Sequence, residues 1–230
     1  LKITKAPLTL QANDLSKTYY SENPELTYTC NGLKYWDDIS VLTVGPILST
    51  NAKKESNAGI YEITIKGASA KNYVITYKDG HMTVQKRPLY VSVGNYERNY
   101  GEENPEFTIE YEGFVGADNY KSIDTEPYAY TSASKNTNVG TYTINITGGQ
   151  DDNYSFYYNS GKITINKAEQ DIIWNQDLTN LAVGEQVQLL AEASSGLSIA
   201  YSLDSNSFCE VYTTGKSSYT KVSQVKIHKR

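Results

Sequence analysis

A shift of 81 residues lays one stretch of this chain on the next without a gap, and no other feature constrains the fold as much. Leu8 falls on Leu89, Tyr19 on Tyr100, and Glu22-Asn23-Pro24-Glu25 on Glu103-Asn104-Pro105-Glu106. Gly32 meets Gly113, Asp37 meets Asp118, and Pro46 meets Pro127. Asn57-x-Gly59-x-Tyr61-x-Ile63-x-Ile65-x-Gly67 meets Asn138-x-Gly140-x-Tyr142-x-Ile144-x-Ile146-x-Gly148. Asn72-Tyr73, Tyr77, Gly80 and Lys86 meet Asn153-Tyr154, Tyr158, Gly161 and Lys167. Matches in this order mean that one supersecondary plan is built twice. Ile3-Thr4-Lys5-Ala6 fits the register of Val84-Gln85-Lys86-Arg87 and Ile165-Asn166-Lys167-Ala168. Residues 1–6 therefore read as the end of a preceding module or a leader strand, 7–87 as module 1 and 88–168 as module 2. The register stops at Glu169, and 169–230 reads as a different, partial module.

The repeat reads as β-structure. Tyr61, Ile63 and Ile65 alternate with Glu62, Thr64 and Lys66, the period of two that marks a half-buried strand. Leu8, Leu10 and Ala12, and in copy two Leu89, Val91 and Val93, open the modules as strands. Tyr73, Ile75 and Tyr77 alternate, then Lys78-Asp79-Gly80, then Met82 and Val84; Asn159-Ser160-Gly161 stands at the same place in copy two. A Gly-ended loop between alternating runs is a hairpin signal, with the glycine expected at φ > 0. Asn23-Pro24 and Asn104-Pro105 mark loops, because proline disfavours helix at the residue before it. The stretch 34–42 carries a helix-like pattern in Trp36, Ile39, Val41 and Leu42. Two helical turns there would indicate a β-grasp; without them the modules are expected to be two-sheet, Ig-like sandwiches. Both alternatives are mainly β.

The joints Lys86-Arg87-Pro88 and Lys167-Ala168-Glu169 hold no Gly/Ser spacer, so an elongated, semi-rigid rod is expected. In the third segment Ile172-Ile173-Trp174, Val187-Leu189-Ala191 and Ile199-Tyr201-Leu203 suggest short strands of a sandwich fragment. Its end, Ser217 to Arg230, is polar and basic and lacks the punctuated strands expected to close such a domain.

Chemistry-bearing motifs are scarce. His81 and His228 are the only histidines, and Cys30 and Cys209 read as separate free thiols with no metal spacing. Asp37-Asp38 and Asp151-Asp152 read as solvated loop acids. No catalytic residue, cofactor or metal is assigned. A net charge of −5 without basic blocks argues against nucleic acid, and no apolar run is long enough to insert in a membrane. The surplus is tyrosine, 21 residues against 4 phenylalanines. Tyrosines matched between copies read as core residues whose hydroxyl reaches the rim. The unmatched aromatics Tyr35, Trp36, Tyr111, Tyr120, Tyr128, Tyr130 and Tyr157 are the candidate contacts for a ligand or partner.

In copy two, Tyr100-Gly101-Glu102-x-Asn104-Pro105, Gly113, Asn138-x-Gly140-Thr141-Tyr142-x-Ile144, Asn153-Tyr154 and Gly161-x-Ile163-Thr164-Ile165-x-Lys167-Ala168 together resemble the MBG domain of the YGX type. Copy one departs at Tyr20, where that family has glycine. Gln170-Asp171-Ile172-Ile173-Trp174 with Ala193-Ser194-Ser195-Gly196-Leu197-Ser198-Ile199-Ala200-Tyr201 resembles bacterial Ig-like domains. These families occur in large secreted or surface-attached proteins, notably of gut Bacteroidetes. The resemblance implies an extracellular stalk or adhesion role without catalytic residues, with an export signal upstream of this stretch. The expected partner is a host or bacterial surface protein or a glycan, and the chain is expected to be a monomer. The alternative is a glycan-binding module that uses exposed Tyr and Trp.

Overall fold

The alternating runs do form strands, and the computed structural model describes residues 3–202, 209–214 and 217–222. Module 1 contains β1 (Ala6–Ala12), β2 (Leu15–Thr18), β3 (Tyr28–Asn31), β4 (Leu42–Val44), β5 (Ile47–Thr50), β6 (Gly59–Lys66), β7 (Ser69–Ala70), β8 (Tyr73–Lys78) and β9 (Gly80–Gln85). One sheet has the order β3-β1-β8 and the other β2-β9-β6-β5, with β4 and β7 as a small ribbon. Leu8, Leu10 and Ala12 from the first sheet meet Ile63, Ile65 and Met82 from the second in one buried cluster. Two faces of alternating side chains closing on each other make a sandwich.

Module 2 repeats the plan with β10 (Arg87–Val93), β11 (Tyr96–Asn99), β12 (Ile109–Glu112), β13 (Thr125–Thr131), β14 (Gly140–Gln150), β15 (Tyr154–Asn159) and β16 (Gly161–Asn166). Its sheets run β12-β10-β15 and β11-β16-β14-β13. Among the described residues there is no α-helix. The 34–42 stretch supplies one 3-10 turn, Ile39–Val41, capped by the Asp38 side chain accepting from Ser40 N–H. That leaves no helix for a sheet to wrap, so the sandwich stands and the β-grasp falls.

The expected hairpins do not form. β8 pairs with β1 and β9 pairs with β2 and β6, so the chain changes sheets at Lys78-Asp79-Gly80. β15 and β16 separate in the same way. Gly80 and Gly161 are also absent from the positive-φ residues. They are glycines because two crossing strands touch there. A Cβ on Gly80 would lie 2.6 Å from Ala12 O, and one on Gly161 2.1 Å from Gly94 O. The crossing is tied by Asp14, whose carboxylate accepts from His81 N–H at 2.8 Å, and by Asn95, which accepts from Lys162 N–H at 2.9 Å.

One compact unit ends at Asn166, and a second begins at Lys167. In the second, β17 (Ile172–Ile173) pairs with β19 (Glu192–Ala193). β18 (Gln186–Gln188) pairs with β21 (Ser217–Val222), which also pairs with β20 (Cys209–Thr214). Strand is therefore present over Ser217–Val222, although that stretch lacks the glycine punctuation expected of closing strands. Leu189–Ala191 and Ile199–Ser202 alternate in sequence yet lie outside strands. Leu203 and the basic tail 223–230 lie outside the described residues.

Candidate functional site

A connected set of polar contacts in the first unit lies where module 1 meets module 2. Tyr19 follows β2, and its N–H donates to Gln85 O at the end of β9, 2.8 Å away. That bond fixes the ring at the edge of module 1. Its hydroxyl then donates to Asp118 Oδ2 of module 2 at 3.1 Å. Tyr154 donates to the same oxygen at 2.8 Å, while its own hydroxyl oxygen accepts from Val115 N–H at 3.1 Å. The two rings meet edge to face, 5.6 Å between centroids. Burial, and after it the Asp118 carboxylate, pushes the Tyr19 phenol above its ordinary pKa. Burial does the same more strongly at Tyr154. Both therefore stay neutral donors, and hydrogen bonds to a charged acceptor contribute about 1.5–3 kcal/mol each.

The rest of the joint is equally direct. Arg87 Nε donates to Tyr19 O at 3.0 Å, and Ala58 N–H to Asn153 Oδ1 at 2.9 Å. Asn153 Nδ2 reaches Asn57 Oδ1 at 3.2 Å. Tyr20 lays its ring on Gly116, where a Cβ would come within 2.7 Å of it. Tyr19 and Val84 of module 1 belong to the same buried cluster as Leu89, Val91, Ile144 and Ile163 of module 2. Module 2's hydrophobic core therefore extends across the joint.

The candidate aromatics do not converge. Tyr35 and Trp36 project from the loop after β3 and are 99% and 98% exposed. Tyr111 instead packs on Phe114 at 5.6 Å against the module 2 core. Tyr120 is half-exposed, with Lys121 Nζ 5.7 Å from its ring centre. Tyr128 and Tyr130 lie side by side on the outer face of β13, rings 6.2 Å apart. Tyr157 pairs with Tyr90 at 5.6 Å on the other sheet.

A profile of the family described as MBG domain (YGX type) matches residues 8–83 and 89–164. The chain belongs to that family. Comparison with curated proteins gave no match. Solved structures of other proteins are also similar, two of them as follows. One is the three N-terminal domains of the highly immunogenic outer capsid protein of bacteriophage RB49. It is 11% identical, with 96% of this chain and 87% of that one covered and a TM-score of 0.27. The other is Sidekick-1 immunoglobulin domains 1–4, 10% identical, with coverage of 95% and 69% and a TM-score of 0.26.

Within the MBG modules the loop acids serve the backbone and the tyrosines. Asp37 accepts from Tyr73 at 2.5 Å, and buried Asp151 accepts from the N–H groups of Asn153 and Tyr154 at 2.7 and 2.9 Å. Among the described residues no three His, Cys, Asp or Glu side chains gather as a metal site. Both cysteines are free thiols. Among the described residues no helix is long and apolar enough to cross a membrane. In the second unit a cleft of about 410 Å³ opens between Trp174, Leu178, Leu189 and Val211, with Trp174 edge-on to Tyr201 at 5.7 Å. Sequence reasoning placed a tight joint at Lys86-Arg87-Pro88 but missed the side chains that build it. Its signal was the retention in both copies of Tyr19/Tyr100, Asp37/Asp118 and Tyr73/Tyr154, which read as demands of a single module.

Proposed function

We propose that the tandem MBG modules act as a non-catalytic spacer in an extracellular bacterial surface protein, holding neighbouring parts at a set distance. The observation that carries this reading is the joint around Asp118. A hinge needs slack and solvated backbone, whereas here a carboxylate of one module binds a phenol of the other beside a shared apolar cluster. Spin labels on Ser49 in module 1 and Thr143 in module 2 test it. One narrow distance distribution is expected in the full chain, broadened by Asp118→Ala. A broad distribution in the unchanged chain would remove the spacer reading.

The second reading is glycan binding at Tyr128 and Tyr130. Its support is the paired, exposed rings beside Asn145 and Thr147, their partners across β14. Aromatic faces flanked by amide and hydroxyl groups suit sugar rings. A glycan array on which Tyr128→Ala/Tyr130→Ala loses the hits of the parent chain supports it; a blank array with the parent ends it.

A further inference from the structure

The front of module 1 has an open cleft of about 560 Å³, lined by Ile3 to Ala6, Lys34, Tyr35, Asp37, Lys71, Asn72 and Tyr73. The repeat shift carries these positions to Val84 to Arg87, Val115, Gly116, Asp118, Asp152, Asn153 and Tyr154. That second set surrounds the Tyr19–Tyr20 corner in the joint just described. The polar framework is the same in both places. Tyr73 donates to Asp37 at 2.5 Å and accepts from Lys34 N–H at 2.9 Å, as Tyr154 does with Asp118 and Val115. Ala6 N–H donates to Asn72 O at 2.9 Å, as Arg87 N–H does to Asn153 O at 2.8 Å. Ile3 is 87% exposed, whereas its counterpart Val84 is 2% exposed inside the shared cluster.

The two sites differ in one wall. Gly116 (φ +62) leaves room for the Tyr20 ring, but module 1 has Tyr35 there, held in the same left-handed conformation at φ +53. A Tyr20-type ring therefore finds Tyr35 in its place. The chain also contains the complementary corner. Where module 1 has Tyr19–Tyr20, module 2 has Tyr100–Gly101, and the glycine (φ +89) has open space around it. A large corner thus meets a small wall in the joint, while a large wall in the cleft calls for a small corner.

We propose that the cleft is a socket for another module of this fold, joined in front of Ile3 in the repeat register and carrying Tyr–Gly at its corner. Its tyrosine donates to Asp37 as Tyr19 does to Asp118. Tyr35 closes over its glycine, and Ile3 becomes a strand residue of its core. Complementary sizes then set which module precedes which, since a Tyr–Tyr corner is refused. The proposal rests on the spacer reading and names the neighbour that the spacer takes.

Two experiments test it. In the full chain, Gly116→Tyr is expected to break the existing joint and lower its melting temperature, and Tyr20→Gly added to it is expected to restore most of the loss. A double variant no better than Gly116→Tyr overturns the size rule. Residues 88–164 placed directly before Ile3 are expected to shift the melting temperature of the chain upward, and residues 7–83 placed there are not. No shift with the first, or equal shifts with both, overturns the socket. A concentration-dependent shift in the unextended chain points to a second copy and also overturns it. The label distances across the existing joint remain a separate readout, so the socket can fail while the spacer reading stands.

Discussion

Arg98 carries a full charge into module 2, and three oxygens receive it, none of them a carboxylate. Its Nε donates to Asn104 Oδ1 at 2.7 Å, Nη1 to Asn99 O at 3.1 Å and Nη2 to Ser134 O at 2.5 Å. Asn104 then donates to Ala133 O at 2.7 Å, so the Asn-Pro loop and the loop after β13 are pinned together. Lys17 stands in the same place in module 1, donating to Ser21 O at 3.0 Å and also to Lys53 O, with Asn23 donating to Ala52 O at 2.6 Å. The repeat announced Asn23 and Asn104 but read them as turn formers beside proline; which carbonyl each would reach lay some 29 residues away. Arg98→Ala leaves three oxygens short of a donor and is expected to cost about 3 kcal/mol in urea unfolding. Arg98→Lys should recover part of that, because an amine fills fewer of the fork's positions. Losses under about 0.5 kcal/mol for Arg98→Ala would mean that the loops hold without it.

At the scale of elements, strand positions were legible and strand partners were not. Alternation in β1, β6, β10 and β14 follows directly from one face being buried, which any sandwich requires. Partner choice between β8 and β9 depends on where each strand ends up relative to β1 and β2, a long-range matter that a local turn signal does not record. The sheet change predicts a specific sensitivity. Gly161→Ala sets a methyl against the backbone oxygens of Gly94 and Val93, at 2.1 and 2.6 Å, with no flexible side chain to yield. Chemical unfolding should show a loss of more than about 3 kcal/mol. Gly148→Ala is the milder comparison. There the nearest contact of the methyl is the Tyr128 ring at 3.4 Å, with Glu126 O at 3.9 Å, and the φ of +75 accounts for a cost of about 1 kcal/mol. Equal losses at the two glycines would contradict the crossing of strands at Gly161.

For the molecule as a whole, the two MBG modules form one unit because their ends are complementary. Tyr19 is 8% exposed in the joint, and its counterpart Tyr100 is 45% exposed. The joint also predicts how stability depends on alkali. The folded unit favours the neutral phenols of Tyr154 and Tyr19, whose pKa values are raised by burial and by Asp118. Their contribution is complete below the ordinary tyrosine value near 10 and is lost as pH rises through the raised values. Urea midpoints followed from about pH 8 to 11.5 should fall above about pH 10, and Tyr154→Phe should flatten that fall. A midpoint unchanged across the range would contradict neutral, buried phenols at the joint. The sequence by itself determined the period of the modules, their β character and the residues that face inward, because burial writes its alternation locally along the chain. Only the tertiary structure decided that β8 and β9 part company, that the glycines mark crossings instead of turns, and that Tyr19, Tyr154 and Asp118 belong to a joint. Those depend on which distant segments meet, and a residue buried by its own module looks the same in sequence as one buried by the next.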